Sequence, residues 1–133
     1  MTSCPSDYTL PLGHRTVSVG GVAFKIAAFQ VGEALNQGKP AAAVEAGMHF
    51  LERLRDDAGR RVFRSGDYSR GLALMADYFA RNSEVVDEAA IQAFMTGQAR
   101  QHLAAYYPGA QITSTLIESA VEALREGNLT PRP

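Results

Sequence analysis

Apolar residues recur every three or four positions through most of this chain, and the longest unbroken run of that kind is Ser83 to Tyr107. Ile91, Met95, Ala99, Leu103 and Tyr106, with Phe94 beside them, form one face of a helix. Ser83 suits the N-cap, and Glu84, Asp87 and Glu88 place negative charge at the positive end of the helix dipole. Pro108-Gly109 ends the run. Gly97 in its middle costs about 1 kcal/mol relative to alanine, which predicts either a closely packed neighbouring helix or a weakened helix centre. His102 borders the stripe and reads as a hydrogen-bonded structural histidine. The length of this pattern predicts that the other helices pack around it.

Four more helices follow from the same periodicity. Phe24, Ala28, Val31 and Leu35 define one from about Val22 to Gln37, and Ile26 and Phe29 widen its apolar arc. Lys25 and Glu33 are its only charges, so it is expected to be well buried. Gly38 suits the residue past its C-cap, and Pro40 suits the first turn of the next helix. That helix reads from Pro40 to about Asp57, with Val44, Met48, Leu51 and Leu54 inward. Arg60 to Ser65 fits either a helical turn or a short extended link. Asp67 is placed to cap a helix over about Tyr68 to Arg81, whose stripe is Tyr68, Leu72, Met75 and Phe79. Thr113 or Thr115 opens the last helix, Thr115 with Glu118 having capping-box spacing. Ile117, Val121 and Leu124 face inward there, and Gly127 ends it.

The N-terminus has a different period. Tyr8 to Leu12 and Arg15 to Val19 alternate in twos, and Gly13-His14 between them suits a tight type II′ turn. Pro11 confines the first strand to an edge. An isolated hairpin is marginal in water, so this one packs on the helices, pairs with another chain or remains an arm. The fold class is therefore mainly α: an N-terminal β-hairpin or extended arm over residues 1–21, a compact bundle of about five helices over 22–127, and a tail over 128–133.

Composition narrows the function without naming it. The 133 residues are 46% hydrophobic and 20% charged, enough apolar material for one domain with its own core. A net charge of −1 gives no global attraction to nucleic acid or acidic membranes. One cysteine, Cys4, excludes an internal disulfide, and no apolar run approaches the roughly 20 residues of a membrane span. With no secretory pattern at the N-terminus, the expected location is cytoplasmic.

No nucleophile elbow, phosphate-binding loop or dinucleotide fingerprint is present, so no catalytic residue and no cofactor is assigned. Glu45, His49 and Glu52 share a helix face, but the set occurs once and opposite the apolar stripe, short of a bundle metal centre. Cys4 and His14 fall short of a zinc ligand set. The favoured reading is a non-enzymatic protein-binding module: an adaptor, small chaperone, inhibitor or component of a larger assembly. Its partner is another protein or a second copy of the chain. The hairpin edge and the tyrosine pair nominate Tyr8, Leu10, Val17, Val19, Tyr106 and Tyr107 as contacts.

The alternative is a small nucleic-acid-binding regulator using Arg60, Arg61, Arg64 and Arg70. Six arginines lie between Arg53 and Arg70, but Glu52, Asp56, Asp57 and Asp67 reduce the local charge to +2. A helix-turn-helix rhythm over Gln101 to Glu122 adds to this reading, although Glu118, Glu122 and Glu126 are poorly suited to lying near phosphates.

Overall fold

A computed structural model describes residues 7–12, 15–126 and 130–131. Strands β1 (Tyr8–Pro11) and β2 (Thr16–Val19) form an antiparallel hairpin in which Tyr8 faces Val19 and Leu10 faces Val17. The alternation in β2 turns Val17 and Val19 inward and Thr16 and Ser18 outward. The Gly13-His14 turn lies outside the described residues, as do Cys4 and Gly127. A short strand, β3 (Thr130–Pro131), pairs with Thr9 and Tyr8, giving the order β2-β1-β3. Two expectations change here. Part of the 128–133 tail is a strand, and β1 is the middle strand. Pro11 is tolerated because it lies past the end of the β3 ladder.

Helix α1 (Gly21–Asn36) ends in a Schellman arrangement. Lys39 N–H donates to the Ala34 carbonyl, Gly38 N–H donates to Leu35, and Gly38 takes φ 73°, where a side chain would be strained. Pro40 then opens α2 (Pro40–Leu51). That helix stops six residues before the expected Asp57. Asp56 Oδ1 accepts from the amides of Ala58 and Arg60, closing a tight loop in which Arg55 pairs with Arg61 and Val62 N–H reaches back to Leu54. An aspartate that bonds its own backbone offers the chain an alternative to helix, and here the alternative wins.

A 3-10 turn over Ser65–Asp67 leads into α3 (Tyr68–Asn82). Helix α4 spans Glu88–Tyr106, so it starts later than the expected Ser83. Its cap is Asp87, whose carboxylate accepts from Ala90 N–H at 3.1 Å. Residues 83–87 are held off the helix by Asn36 of α1, which donates to the Val85 carbonyl and accepts from Asp87 N–H. Helix α5 (Ser114–Glu126) is capped by Thr113, whose hydroxyl accepts from Leu116 N–H. No helix among the described residues is long and apolar enough to cross a membrane.

The bundle is centred on α3, not on the longer α4. Helix α3 packs against α1, α2, α4 and α5, and Gly71 through Asp77 are all buried. Helix α4 exposes Gln92, Ala93, Arg100 and Gln101 on its outer side. Close approach to α3 depends on glycines facing it. A Cβ on Gly32 of α1 would meet the Phe79 ring, and one on Gly47 of α2 would meet Leu72. Gly97 of α4 is different: a Cβ there meets nothing within 4 Å, so no neighbouring helix packs on it.

These two kinds of glycine respond oppositely to a methyl group. Gly32→Ala overpacks the α1–α3 contact and should lower stability by about 1–3 kcal/mol. Gly97→Ala removes only backbone freedom and should raise it by up to about 1 kcal/mol. Denaturant midpoints of the two variants check this, and a stabilising Gly32→Ala would contradict the packing.

Candidate binding surfaces

The sequence-nominated partner contacts are not brought together on one surface. Leu10, Val17 and Val19 are buried in the core beneath the hairpin. Tyr8 packs edge-on against Phe24 and shares a hydrogen bond with the Tyr78 hydroxyl at 3.3 Å. Burial and that bond push Tyr78 up to about 12. A partner could reach these aliphatic side chains only if the hairpin left the domain. Tyr107 projects at the end of α4, 59% exposed, while the Tyr106 hydroxyl is turned inward to Asp67.

Asp67 ties the base of the hairpin to the bundle, in addition to the buried aliphatics. Its side chain is 1% exposed, and its two oxygens accept from different elements. Oδ2 accepts from Arg15 Nη2 at 2.8 Å, and Oδ1 accepts from the Tyr106 hydroxyl of α4. Arg15 also donates to the Val62 carbonyl at 2.6 Å. Burial pushes the Asp67 carboxyl up, but the bonds from Tyr106 and Arg15 outweigh it and hold it below its ordinary value. Arg70, nominated as a nucleic-acid contact, points the same way: its Nε donates to the Pro11 carbonyl at 2.6 Å, and burial lowers its pKa. It is a structural tie to the hairpin.

Arg61 and Arg64 remain exposed and, with Arg15 and Arg55, line a polar cleft of about 390 Å³. Asp56 and Asp57 stand in the same wall. Arg60 extends into solvent with its Nε 3.6 Å from Asp56.

Two apolar hollows were not legible as sites in the sequence. One, of about 330 Å³, lies between α1 and α2 and is lined by Ala23, Ile26, Phe50 and Leu54, with His49 and Arg53 at its rim. Ile26 and Val22 stand out of this side of α1 at 57% and 63% exposure. No described carboxylate pairs with Arg53. The other, of about 440 Å³, lies where the end of α1, the start of α2 and the first half of α4 meet. Leu35, Val44, Phe94 and Gly97 line it, and Gln98 is a buried polar side chain in its wall, 4% exposed, with no hydrogen-bond partner for Oε1 among the described residues. The available signal was Gln98 itself, a polar residue within the inward stripe between Met95 and Ala99.

Among the described residues, no group of three or more His, Cys, Asp or Glu side chains is placed to hold a metal ion. Comparison of the chain with protein-family models, with curated proteins and with solved structures finds no match.

Asp67 generates a pH signature. Its folded pKa lies below the unfolded value, so its contribution to stability is complete above the unfolded carboxylate range near about 3.9 and is lost as pH falls through the folded value. Burial pushes Asp77, towards the other end of α3, up despite Arg81, so Asp77 acts in the opposite sense. The difference between wild type and Asp67→Asn isolates the first effect. Asp67→Asn should cost about 2–4 kcal/mol at neutral pH, at the low side of a fully buried pair because Arg15 is partly exposed. That cost should shrink as the pH approaches about 3. Urea unfolding at both pH values measures it, and a pH-independent cost would contradict the assignment.

Proposed function

We propose that this protein is a non-enzymatic binding module that docks a partner protein on the outer face of α1 and the groove it makes with α2. An adaptor, small chaperone, inhibitor or assembly component all work this way. The observation that carries the reading is the pair Val22 and Ile26, large aliphatic side chains left mostly in water beside an apolar hollow. Protruding apolar side chains next to a groove suit an interface with another folded surface. Arg53 at the rim, in no ion pair with a described carboxylate, favours a partner whose apolar helix face carries an acidic residue. A cytoplasmic setting belongs to this proposal, in keeping with the lone cysteine.

A second reading keeps the nucleic-acid alternative, now resting on Arg55, Arg61 and Arg64 around the polar cleft. Asp56 and Asp57 in the same wall weaken it, and Arg15 is already committed to Asp67.

Ile26→Glu separates the two. Its side chain is exposed, so folding should be retained, while a docked partner would lose about 2 kcal/mol or more, roughly 30-fold in affinity. The expected result is a partner that is recovered from the native host after nuclease and high salt, binds the purified wild type directly, and is lost with Ile26→Glu. Sedimentation of the purified chain identifies the case in which that partner is a second copy. Recovery that depends on nucleic acid and falls steeply with salt, unaffected by Ile26→Glu but lost with Arg61→Glu, would overturn the proposal in favour of the second reading.

A further inference from the structure

The hollow formed by α1, α2 and α4 differs in character from the α1–α2 groove. It is concave, and the side chains that open it are small: Ala41, Ala90, Ala93 and Gly97 with Gly38 and Pro40. None of its lining side chains is charged, and no large apolar side chain stands out of it. Its volume of about 440 Å³ falls within the usual span for small-molecule sites, roughly 300–1,000 Å³. Such sites are mostly apolar and hold a few polar groups that fix orientation. Gln98 is a group of that kind.

Buried amide oxygens are nearly always hydrogen-bonded, and among the described residues Gln98 Oε1 has no such partner. Oε1 is itself closed off from solvent, and because the last torsion of a glutamine is broad, a turn of the amide about the preceding bond is what presents it to the hollow. Nothing in the helix backbone needs this side chain, because α4 is capped by Asp87 and its ladder continues to Tyr106. A leucine at this position of the inward stripe would satisfy the packing without leaving an amide in the wall. Gly97, one residue earlier, keeps the space over the helix open, since a Cβ there meets no neighbour within 4 Å.

We propose that this hollow binds a small, neutral, largely apolar molecule with a single hydroxyl, whose proton is donated to Gln98 Oε1. The absence of charged lining side chains disfavours carboxylates, phosphates and ammonium groups, whose desolvation nothing there would offset. The single polar side chain disfavours polyols, which would bury unpaired hydroxyls. An aromatic or alicyclic alcohol of about ten to fifteen non-hydrogen atoms has the matching chemistry within the usual size range of such sites.

The test uses the full chain and two probes, 2-naphthol and 2-methoxynaphthalene, in the second of which a methyl group replaces the hydroxyl proton. Binding is followed by amide chemical shifts and by naphthalene fluorescence. The expected result is that 2-naphthol binds wild type at least tenfold more tightly than the methyl ether, with shifts confined to residues 35–44 and 90–98. Gln98→Leu should bring 2-naphthol to the affinity of the ether while leaving the ether unchanged. Gly97→Phe, or Ala93→Leu where the first variant loses helical circular dichroism, should abolish binding of both. Equal affinities of the two probes for wild type would overturn the role of Gln98. Failure of both probes to bind wild type, or binding that survives a folded blocking variant, would overturn the site.

Discussion

Helix α3 is covered on every side, and that enclosure constrains each of its neighbours. Its residues from Gly71 to Asp77 have no face left for solvent, so α1, α2, α4 and α5 must all come close to one axis. Helices α1 and α2 achieve this by omitting side chains where they meet it, at Gly32 against Phe79 and Gly47 against Leu72. A helix buried all round makes most of its stability from packing, with little left to intrinsic propensity. The cost is paid in tolerance, because a single added methyl at either glycine has no space to occupy.

The N-terminal end of α3 ties the sheet to the bundle. Asp67 sits just before the helix, buried, and joins Arg15 beside the hairpin to Tyr106 at the far end of α4. Arg70, in the first turn of α3, holds the Pro11 carbonyl. Together with Leu10, Val17 and Val19 in the core, these bonds make the hairpin part of the domain. The apolar surfaces left open lie elsewhere, on the sides of α1, α2 and α4 that face away from α3. Both apolar hollows are there.

Much of the architecture was legible from periodicity. The five helices, the N-terminal hairpin and the glycine-proline junction between α1 and α2 follow from local patterns that tertiary structure did not override. The errors arise where a distant side chain decides. Asn36 holds Val85 and Asp87, delaying α4, and no local pattern connects residues 49 and 51 positions apart. Asp56 ends α2 by bonding Ala58 and Arg60, in competition with good helix formers around it. The central place of α3 is hidden in the sequence because its small and polar inward residues, Ser69, Ala73, Ala76 and Asp77, blur a stripe that belongs to a fully buried surface. Asp67 was read as a cap. Its role as an ion-pair acceptor depends on Arg15, 52 residues earlier. The open edge of the hairpin nominates its aliphatics as partner contacts, but their alternation equally describes a strand facing its own core. The hollow at Gln98 needed three helices to exist before it could be seen.

The central claim is that hairpin and helices form one cooperative unit around α3, leaving the outer helical faces as the proposed binding surface. Native-state hydrogen exchange tests it most directly, residue by residue. The account predicts that amides of Leu10, Val17 and Val19 open with the same free energy as those of Leu72 to Met75, and respond to denaturant with the same slope. Hairpin amides that exchange orders of magnitude faster while α3 stays protected would contradict it. They would show a detachable arm, and its buried aliphatic face would return as the surface offered to a partner.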